Sequence, residues 1–225
     1  TLEWQRLGAI RNLVLDRDGA TIADMYEKIG VNGGTAPDPI YLDFDNFAAT
    51  GFPFRDKCSE IVDQIADALG GLTFEGVHCW VNSTTMRKIA NLPECEVAFQ
   101  RQQDGQALRE GYGYGTVFRY GGVTFEVYRG VYGAGATKFV ADDELLFFPV
   151  GAGNFWQGFA PATRIVDPVS GQEPVERQLC QPIFYLTFIA PRGEFEEVET
   201  QSNPITVNLR PLSTVIANAG AAPAP

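Results

Sequence analysis

The sequence predicts an α+β fold, and three neighbouring patterns predict it. Residues 55–69 place apolar side chains at helical spacing, and residues 73–81 run apolar as a buried strand does. Residues 84–91 form a second helical pattern, preceded by an Asn82-Ser83 N-cap. The β content then rises through the second half of the chain. A helix–strand–helix unit followed by hairpins is typical of a layered α+β protein.

The first forty residues predict a short helix and a hairpin. Residues 1–10 carry apolar side chains spaced as at the end of a helix. Residues 11–15 and 20–26 are predicted as two strands, because the Asp-Gly pair between them supplies the positive φ of a tight turn. Residues 30–39 are rich in Gly, Asn, Asp and Pro and are predicted as a loop.

The helix over residues 55–69 has the clearest amphipathic pattern. Gly70-Gly71 ends it, and Pro93 ends the helix over residues 84–91. The apolar positions of the longer helix are Cys58, Ile61, Val62, Ile65, Ala66 and Leu69, with Asp56, Glu60, Asp63 and Asp67 on the other side.

The second half of the chain predicts mainly strands. Gly121-Gly122 separates residues 116–120 from residues 123–128, which is a strong pattern for a two-residue hairpin. Residues 129–138 are predicted as a glycine-rich loop, and residues 219–225 as a flexible tail. Further strands are predicted at residues 144–148 (closed by Pro149), 181–190, 194–200, 205–209 and 213–216.

Composition excludes three classes of protein. The 225 residues carry 17 basic and 28 acidic side chains, a net charge of -11, and are 45% hydrophobic. This apolar content excludes disorder as the main state. The longest apolar runs are far shorter than the ~20 residues of a membrane-spanning helix. The acidic charge argues against a broad surface that grips nucleic-acid phosphates.

Residues with catalytic or metal-binding potential are predicted to be structural. The cysteines are too widely spaced for a metal motif, and we predict small buried thiols in a reducing cytosol. His78 is the single histidine, and Cys79 beside it on a strand points to the opposite face. No catalytic residue, metal or cofactor is therefore predicted. The cysteines are Cys58, Cys79, Cys95 and Cys180.

Two acidic clusters and two glycine-rich runs have no recognisable site spacing. Asp142-Asp143-Glu144 and Glu196-Glu197 are interpreted as a solvated turn and a polar strand face. Residues 111–115 and 151–154 are interpreted as flexible connectors or sites of close backbone approach, because neither has the spacing of a phosphate-binding loop.

Aromatic residues near glycine turns leave two interpretations open. They belong either to an ordinary core or to an interface, where Tyr, Trp and Phe are enriched. These residues are Tyr112, Tyr114, Tyr128, Tyr132, Phe155, Trp156 and Phe159.

Four stretches, taken in order, resemble one known family. Residues 118–130, FRYGGVTFEVYRG, are similar to that family's F-GGI-FEEYRG hairpin. The other stretches are 77–82 with the Leu-Pro-Glu turn at 92–94, residues 139–151 with 159–162, and residues 201–204 with 210–212. Together they resemble the lambda-type major capsid protein of tailed bacteriophages, which has the Hong Kong 97 coat fold.

The resemblance implies two domains. A peripheral domain takes the end of a long spine helix and a hairpin from residues 1–53, and long antiparallel strands from residues 162–218. An axial domain, residues 54–161, has a small sheet flanked by helices and points toward the five- and six-fold axes. Family members carry about a hundred further residues before this point, so we expect the chain to begin inside the spine helix.

The resemblance also implies function and partners. The chain is expected to be a non-enzymatic subunit that forms hexamers and pentamers of an icosahedral head around double-stranded DNA. Further expected partners are a decoration or scaffolding protein and the portal, with assembly in the bacterial cytoplasm and no membrane partner. Residues 129–142 are expected to contact a neighbour near the ring axis. The predicted contact residues are Arg129, Tyr132, Gly133, Lys138, Phe155 and Trp156.

Three alternatives stay open at this point. A cellular nanocompartment shell shares the coat fold and packages a protein cargo instead of DNA. A small β-rich hydrolase would use an acidic pair such as Asp142 and Glu144. A third alternative is an α+β domain that binds one partner.

Overall fold

Helices are concentrated in the first half of the chain and strands in the second. The computed structural model describes residues 2–16, 19–44, 53–101, 117–132, 137–160, 182–189 and 196–222. Its helices are α1 (Leu2–Ile10), α2 (Met25–Ile29), α3 (Pro53–Leu69), α4 (Ser83–Ala90) and α5 (Pro93–Arg101), with short 3-10 turns at Val31–Gly34 and Pro211–Ser213. Its strands are β1 (Leu13–Leu15), β2 (Thr21–Asp24), β3 (Ile40–Tyr41), β4 (Gly76–Val81), β5 (Val117–Tyr120), β6 (Val123–Val127), β7 (Val131–Tyr132), β8 (Thr137–Lys138), β9 (Glu144–Val150), β10 (Phe155–Phe159), β11 (Phe184–Ile189), β12 (Glu196–Gln201), β13 (Pro204–Asn208) and β14 (Val215–Asn218).

A mixed six-stranded sheet forms the centre, in the order β3-β14-β9-β4-β6-β5. β4 lies between β6, to which it is parallel, and β9, to which it is antiparallel. β14 pairs antiparallel with β9 and parallel with β3. The remaining strands form the two-stranded pairs β1-β2, β7-β8, β10-β13 and β11-β12.

The main core lies between α3 and one face of this sheet. Residues of β4 alternate between buried and half-buried, with Val77, Cys79 and Val81 on the buried side. α3 contributes Ile61 and Ile65 from its apolar face, both essentially inaccessible to solvent. Each such side chain contributes about 1.5–3 kcal/mol when buried, so this layer is the largest source of hydrophobic stability.

The opposite face of the sheet is partly covered by α1. Leu7 packs with Phe139, Val140 and Leu146 in a second, smaller apolar cluster. Both faces of β9 are therefore buried, which explains its continuous apolar run, Leu145 to Phe148, where an exposed strand would alternate.

A buried polar network joins the N-terminal hairpin to the last strands. Asn208 Nδ2 donates to Asn12 Oδ1 at 2.9 Å, and Asn12 Nδ2 donates to Thr214 Oγ1 at 2.7 Å. Tyr26 Oη accepts from Asn12 Nδ2 at 2.7 Å. Asn154 Nδ2 donates to Asn208 Oδ1 at 3.0 Å. These side chains are buried and have almost no contact with water, so the network provides the hydrogen-bond partners that their polar groups need.

Most predicted elements are confirmed, with shifted ends. The helices predicted at 55–69 and 84–91 are α3 and α4, and Asn82 Oδ1 accepts the N–H of Thr84 as the predicted N-cap. Gly121-Gly122 forms the β5-β6 turn. Both glycines have positive φ, and a Cβ on Gly121 would lie 2.7 Å from Cys58 Cβ of α3. The strand pair predicted at 181–190 and 194–200 is β11 and β12.

Several predicted boundaries are wrong because a local interaction decides them. The strand predicted to end at Tyr26 ends at Asp24, whose carboxylate accepts the N–H of Tyr26 and caps α2. The strand predicted from Thr73 begins at Gly76. The strand predicted to close at Pro149 continues to Val150. β14 pairs only with the first half of β9, so no strand on that side needs a hydrogen bond from Pro149, which has no backbone N–H.

Other elements were not predicted. Pro93, predicted only to end a helix, also begins α5, where its missing N–H costs nothing. β3 and β10 lie in stretches without a clear alternating pattern. The predicted tail over 219–225 begins too early. Ala219 is fully buried, its N–H donates to Asp143 O at 2.7 Å, and its carbonyl accepts from Phe44 N at 2.9 Å.

Candidate interaction surfaces

The β7-β8 hairpin stands on an aromatic base. Tyr128, which follows β6, stacks on Trp80 of β4 with ring centroids 4.6 Å apart. Phe139, which follows β8, meets the edge of Tyr128 at 5.8 Å. The N–H of Phe139 donates to Gly130 O at 3.0 Å and closes the hairpin. This base holds the start and end of the hairpin together at the carboxyl end of β4.

Ion pairs reinforce the same corner. Asp142 Oδ1 accepts from Lys138 Nζ at 2.8 Å and from Asn82 Nδ2 at 2.6 Å. Asp143 Oδ1 accepts from Lys88 Nζ of α4 at 2.7 Å. Both carboxylates are substantially exposed, so each pair contributes at most about 1 kcal/mol.

Glu144 is held by Arg11 at the end of α1. The guanidinium donates to both carboxylate oxygens, at 3.0 and 2.5 Å, and also to Phe139 O. Glu144 Oε2 further accepts the N–H of Ala141 at 2.9 Å. Asp142, Asp143 and Glu144 thus each have their own cation, which is an arrangement of structural ion pairs. The solvated turn expected here includes one largely buried carboxylate that joins α1 to β9.

The predicted contact residues near the hairpin lie at this corner. Arg129 and Lys138 are exposed at the two sides of the hairpin base, and Tyr132 lies on β7. Gly133 lies outside the described residues. The predicted glycine-rich loop therefore contains a short antiparallel pair, in which Val131 opposes Lys138 and Tyr132 opposes Thr137.

The other predicted contact residues lie on a different sheet. Phe155 and Trp156 are on β10, which pairs with β13 and not with the central sheet. Phe155 is half-buried and Trp156 is exposed. The predicted contact residues therefore lie on two different sheets. Of the other aromatic residues, Tyr128 is half-buried and packs against the smaller apolar cluster, Phe159 is also half-buried, and Tyr112 and Tyr114 lie outside the described residues.

A broad cleft lies at the opposite end of the sheet, beside the β5-β6 turn. It has a volume of about 1040 Å³ and is lined by side chains of both charges, among them Arg55, Arg119, Asp63 and Glu75. His78 also lines it, on the sheet face opposite the buried cysteines. The mixed charge selects no particular ligand class.

Glu94 organises the wall of this cleft, and the sequence analysis missed it. Its Oε1 accepts the N–H of Phe54 at 2.8 Å, and its Oε2 accepts the N–H of Arg55 at 3.3 Å and Tyr120 Oη at 2.9 Å. A carboxylate from α5 therefore caps the N-terminus of α3, where the helix dipole favours negative charge. Burial and the hydrogen bond to Glu94 raise the pKa of Tyr120. Because Glu94 and Phe54 are 40 positions apart, no local capping pattern reveals the contact.

The described cysteines are free and buried, as predicted; Cys180 lies outside the described residues. Burial, helped by the charge of Glu94, raises the pKa of Cys95 to about 12. Burial also raises the pKa values of Cys58 and Cys79. At neutral pH these thiols are protonated and unreactive.

Raising the pH should therefore destabilise the fold. Unfolded cysteine ionises near pH 8.5, whereas the folded thiols stay protonated. Their contribution is complete below about pH 8.5 and is lost as the pH rises toward about 12. The free energy of unfolding should fall by up to about 1.4 kcal/mol per pH unit for each thiol.

Urea unfolding in reducing buffer at pH 7.5 and 9.5 measures this loss. The Cys58→Ala variant removes one buried thiol and should show a smaller loss than the unsubstituted protein. An equal loss in both proteins would contradict the assignment.

Two searches of the described residues found nothing further. No described helix is both long and apolar enough to cross a membrane. The same residues hold no group of three or more His, Cys, Asp or Glu side chains arranged to bind a metal ion.

Comparisons with known proteins bear on the whole chain. A family model described as phage major capsid protein E matches residues 1–219. No curated protein matches the chain. Among solved structures, a phage-related protein from Bordetella bronchiseptica RB50 matches at 9% identity with a TM-score of 0.39. The match covers 88% of this chain and 62% of that one, so this chain spans less than two thirds of that protein's length.

Proposed function

The chain belongs to the phage major capsid protein E family, and on that premise we propose that it is a structural subunit of an icosahedral phage head. In this proposal it assembles with itself into hexamers and pentamers, which together enclose double-stranded DNA. The family match over residues 1–219 is the observation that carries the proposal. No catalytic role is assigned to any residue.

In this proposal the chain is a coat subunit of the Hong Kong 97 type with two domains. We propose an axial domain over residues 54–161 and a peripheral domain from residues 1–53 and 162–218. The axial segment supplies β4, β5, β6 and β9 of the central sheet. β3 and β14 extend that sheet from the flanking segments, so the boundary between the two domains runs through one sheet.

The charge of the chain supports enclosure of DNA without tight binding. A net charge of -11 repels phosphate groups over a broad surface, so the packaged DNA is retained by the closed shell. The proposed further partners are a decoration or scaffolding protein and the portal. The proposed location is the virion, after assembly in the host cytoplasm.

The first experiment is negative-stain microscopy of the expressed full chain. Closed shells or rings of five and six subunits are the expected result. A monomer that forms neither at high concentration would contradict the proposal. A monomer that also hydrolyses a substrate would favour the hydrolase alternative.

The β7-β8 hairpin provides a second test, since we propose that it contacts a neighbour near the ring axis. Deleting Gly133–Ala136 removes the residues between β7 and β8 in the sequence and leaves the aromatic base of Trp80, Tyr128 and Phe139 in place. The variant should therefore fold as a monomer and fail to form shells. Circular dichroism and particle counts check the two expectations, and normal particles would exclude the proposed contact.

A further inference from the structure

Arg11 leaves the end of α1 in a direction that the backbone fixes. Its N–H donates to Gly8 O at 2.9 Å, and the next residue, Asn12, ends the helix with a φ of 61° in the left-handed region. The side chain of Asn12 belongs to the buried polar network. Gly8 of α1 lies so close to β1 that a Cβ on it would be 2.6 Å from Leu13 O. The start of the Arg11 side chain is therefore held firmly by α1 and β1.

The far end of this side chain meets the root of the β7-β8 hairpin. The guanidinium carbon of Arg11 lies 4.9 Å from the ring centroid of Phe139, and Nη2 donates to Phe139 O. The same guanidinium donates to both carboxylate oxygens of Glu144. A guanidinium is planar and donates in fixed directions, so these contacts fix its orientation as well as its position.

Phe139 is the residue through which Arg11 reaches the hairpin. Its N–H donates to Gly130 O and closes the hairpin, and its buried ring packs against Tyr128 and Trp80. β7 and β8 have two residues each and pair with no other strand of the described chain. Because an isolated two-stranded pair is at best marginally stable, the direction in which this hairpin projects depends on what holds its root.

The ion pair of Arg11 differs from its neighbours at the same corner. Lys138 and Lys88, which pair with Asp142 and Asp143, lie in the same proposed axial domain as those carboxylates. Arg11 lies in the proposed peripheral domain, whereas Phe139 and Glu144 lie in the axial one. The contacts of Arg11 therefore cross the proposed boundary between the two domains.

We propose that Arg11 is a positioning residue for the subunit contact. It holds the β7-β8 hairpin at the angle at which the hairpin meets a neighbouring copy, and it makes that angle follow α1. This inference rests on the proposed function, of which the hairpin contact is a part. Arg11 needs no contact with the neighbour, because it acts through Phe139. A residue that merely fastens α1 to β9 would act through Glu144 instead, and substitutions separate these two roles.

Arg11→Met tests the role in the full chain, because methionine keeps an apolar stem and loses the charge and the donors. The particle yield should fall about tenfold or more, since charge-assisted hydrogen bonds are among the stronger ones. Arg11→Lys keeps a cation beside Glu144 without the planar fork, and its yield should fall about threefold or more. Circular dichroism reports folding, and if Arg11→Met fails to fold, the yield of Arg11→Lys decides. Normal yield from a folded variant would overturn the proposal.

An exchange of charges separates positioning from simple fastening. Arg11→Glu combined with Glu144→Arg restores an ion pair between α1 and β9, but a carboxylate cannot donate to Phe139 O. Compared with Arg11→Glu alone, the double variant should recover its urea midpoint and keep a low particle yield. Recovery of the yield together with the midpoint would show that only the ion pair matters, and the positioning role would be wrong.

Hydrogen exchange on the unassembled chain gives a readout that does not depend on shells. The Phe139 amide, which donates to Gly130 O at 3.0 Å, should exchange about tenfold faster or more in Arg11→Met. Lys57→Met is the control, because Lys57 pairs with Glu60 at 2.6 Å on α3 and its loss should change neither this exchange nor the yield.

An unchanged exchange rate at Phe139 in Arg11→Met would overturn the proposal, and the proposed function would survive if the unsubstituted chain forms shells. If the unsubstituted chain forms none, the proposed function fails. The exchange rates then still decide whether Arg11 holds the root of the hairpin.

Discussion

The Asn208→Ala variant should lose about 3–5 kcal/mol of its free energy of unfolding, because it leaves several buried polar groups without partners. Asn208 is fully buried and bonds to Asn12, to Asn154 and to the backbone N–H of Arg210. Alanine replaces none of these bonds. Each polar group that loses its partner stays buried without a hydrogen bond. The free-energy cost of its desolvation is larger than the net contribution of an ordinary hydrogen bond.

The loss should extend beyond the substituted site. The network joins the turn before β1, α2, β13 and the chain just before β14, so its loss should loosen the N-terminal hairpin from the last strands. Urea denaturation measures the change in stability, and hydrogen exchange should show faster exchange at the Met25 amide, which donates to Asn12 O at 2.8 Å.

Asn91→Ala is the matched control for this substitution. Asn91 is exposed and ends α4 with an ordinary helical φ of -87°, so alanine there should change stability by less than about 0.5 kcal/mol. A similar loss for both variants would show that the network makes no special contribution.

The Glu94→Ala variant should be destabilised by about 2–4 kcal/mol, from the loss of a helix cap and of a buried charge-assisted hydrogen bond. The substitution leaves the N–H groups of Phe54 and Arg55 without their acceptor at the start of α3, and Tyr120 Oη without its partner. Because α3 supplies one layer of the main core, fraying of its first turn should reach Phe54, which is fully buried.

Two further variants separate the contributions of Glu94. Tyr120→Phe removes only the hydroxyl bond and should cost about 1 kcal/mol. Glu60→Ala removes an exposed carboxylate of α3 that pairs with Lys57 at 2.6 Å, and should cost less than about 0.5 kcal/mol. Denaturation midpoints compare the three variants. A loss for Glu94→Ala no larger than that for Glu60→Ala would be inconsistent with the capping role.

Local elements were predictable because their causes lie within a few residues. The apolar spacing of α3, the Asn82 cap of α4 and the Gly121-Gly122 turn each act over one or two turns of chain. Pairings of short strands were less predictable. β3 and β10 have two and five residues, and both depend on partners far along the chain.

Exposed apolar side chains were less predictable than local elements. The sequence left Trp156 open between a core and an interface, and the tertiary structure leaves it 51% exposed. The groove beside the 3-10 turn Pro211–Ser213 was not predictable, because Ala68, Leu72 and Leu209 meet only when the end of α3 packs beside that turn.

The sequence by itself determined the α+β class, the helices and hairpins with strong local patterns, and the resemblance to a phage capsid family. Periodicity, caps and turn residues act locally, so these conclusions needed no knowledge of the chain's path. The tertiary structure alone decided which polar groups are buried together and which apolar surfaces stay open. Asn12 and Asn208 are 196 positions apart, and Glu94 reaches α3 from another helix. Contacts of that kind depend on the packing of whole elements, which no local pattern encodes.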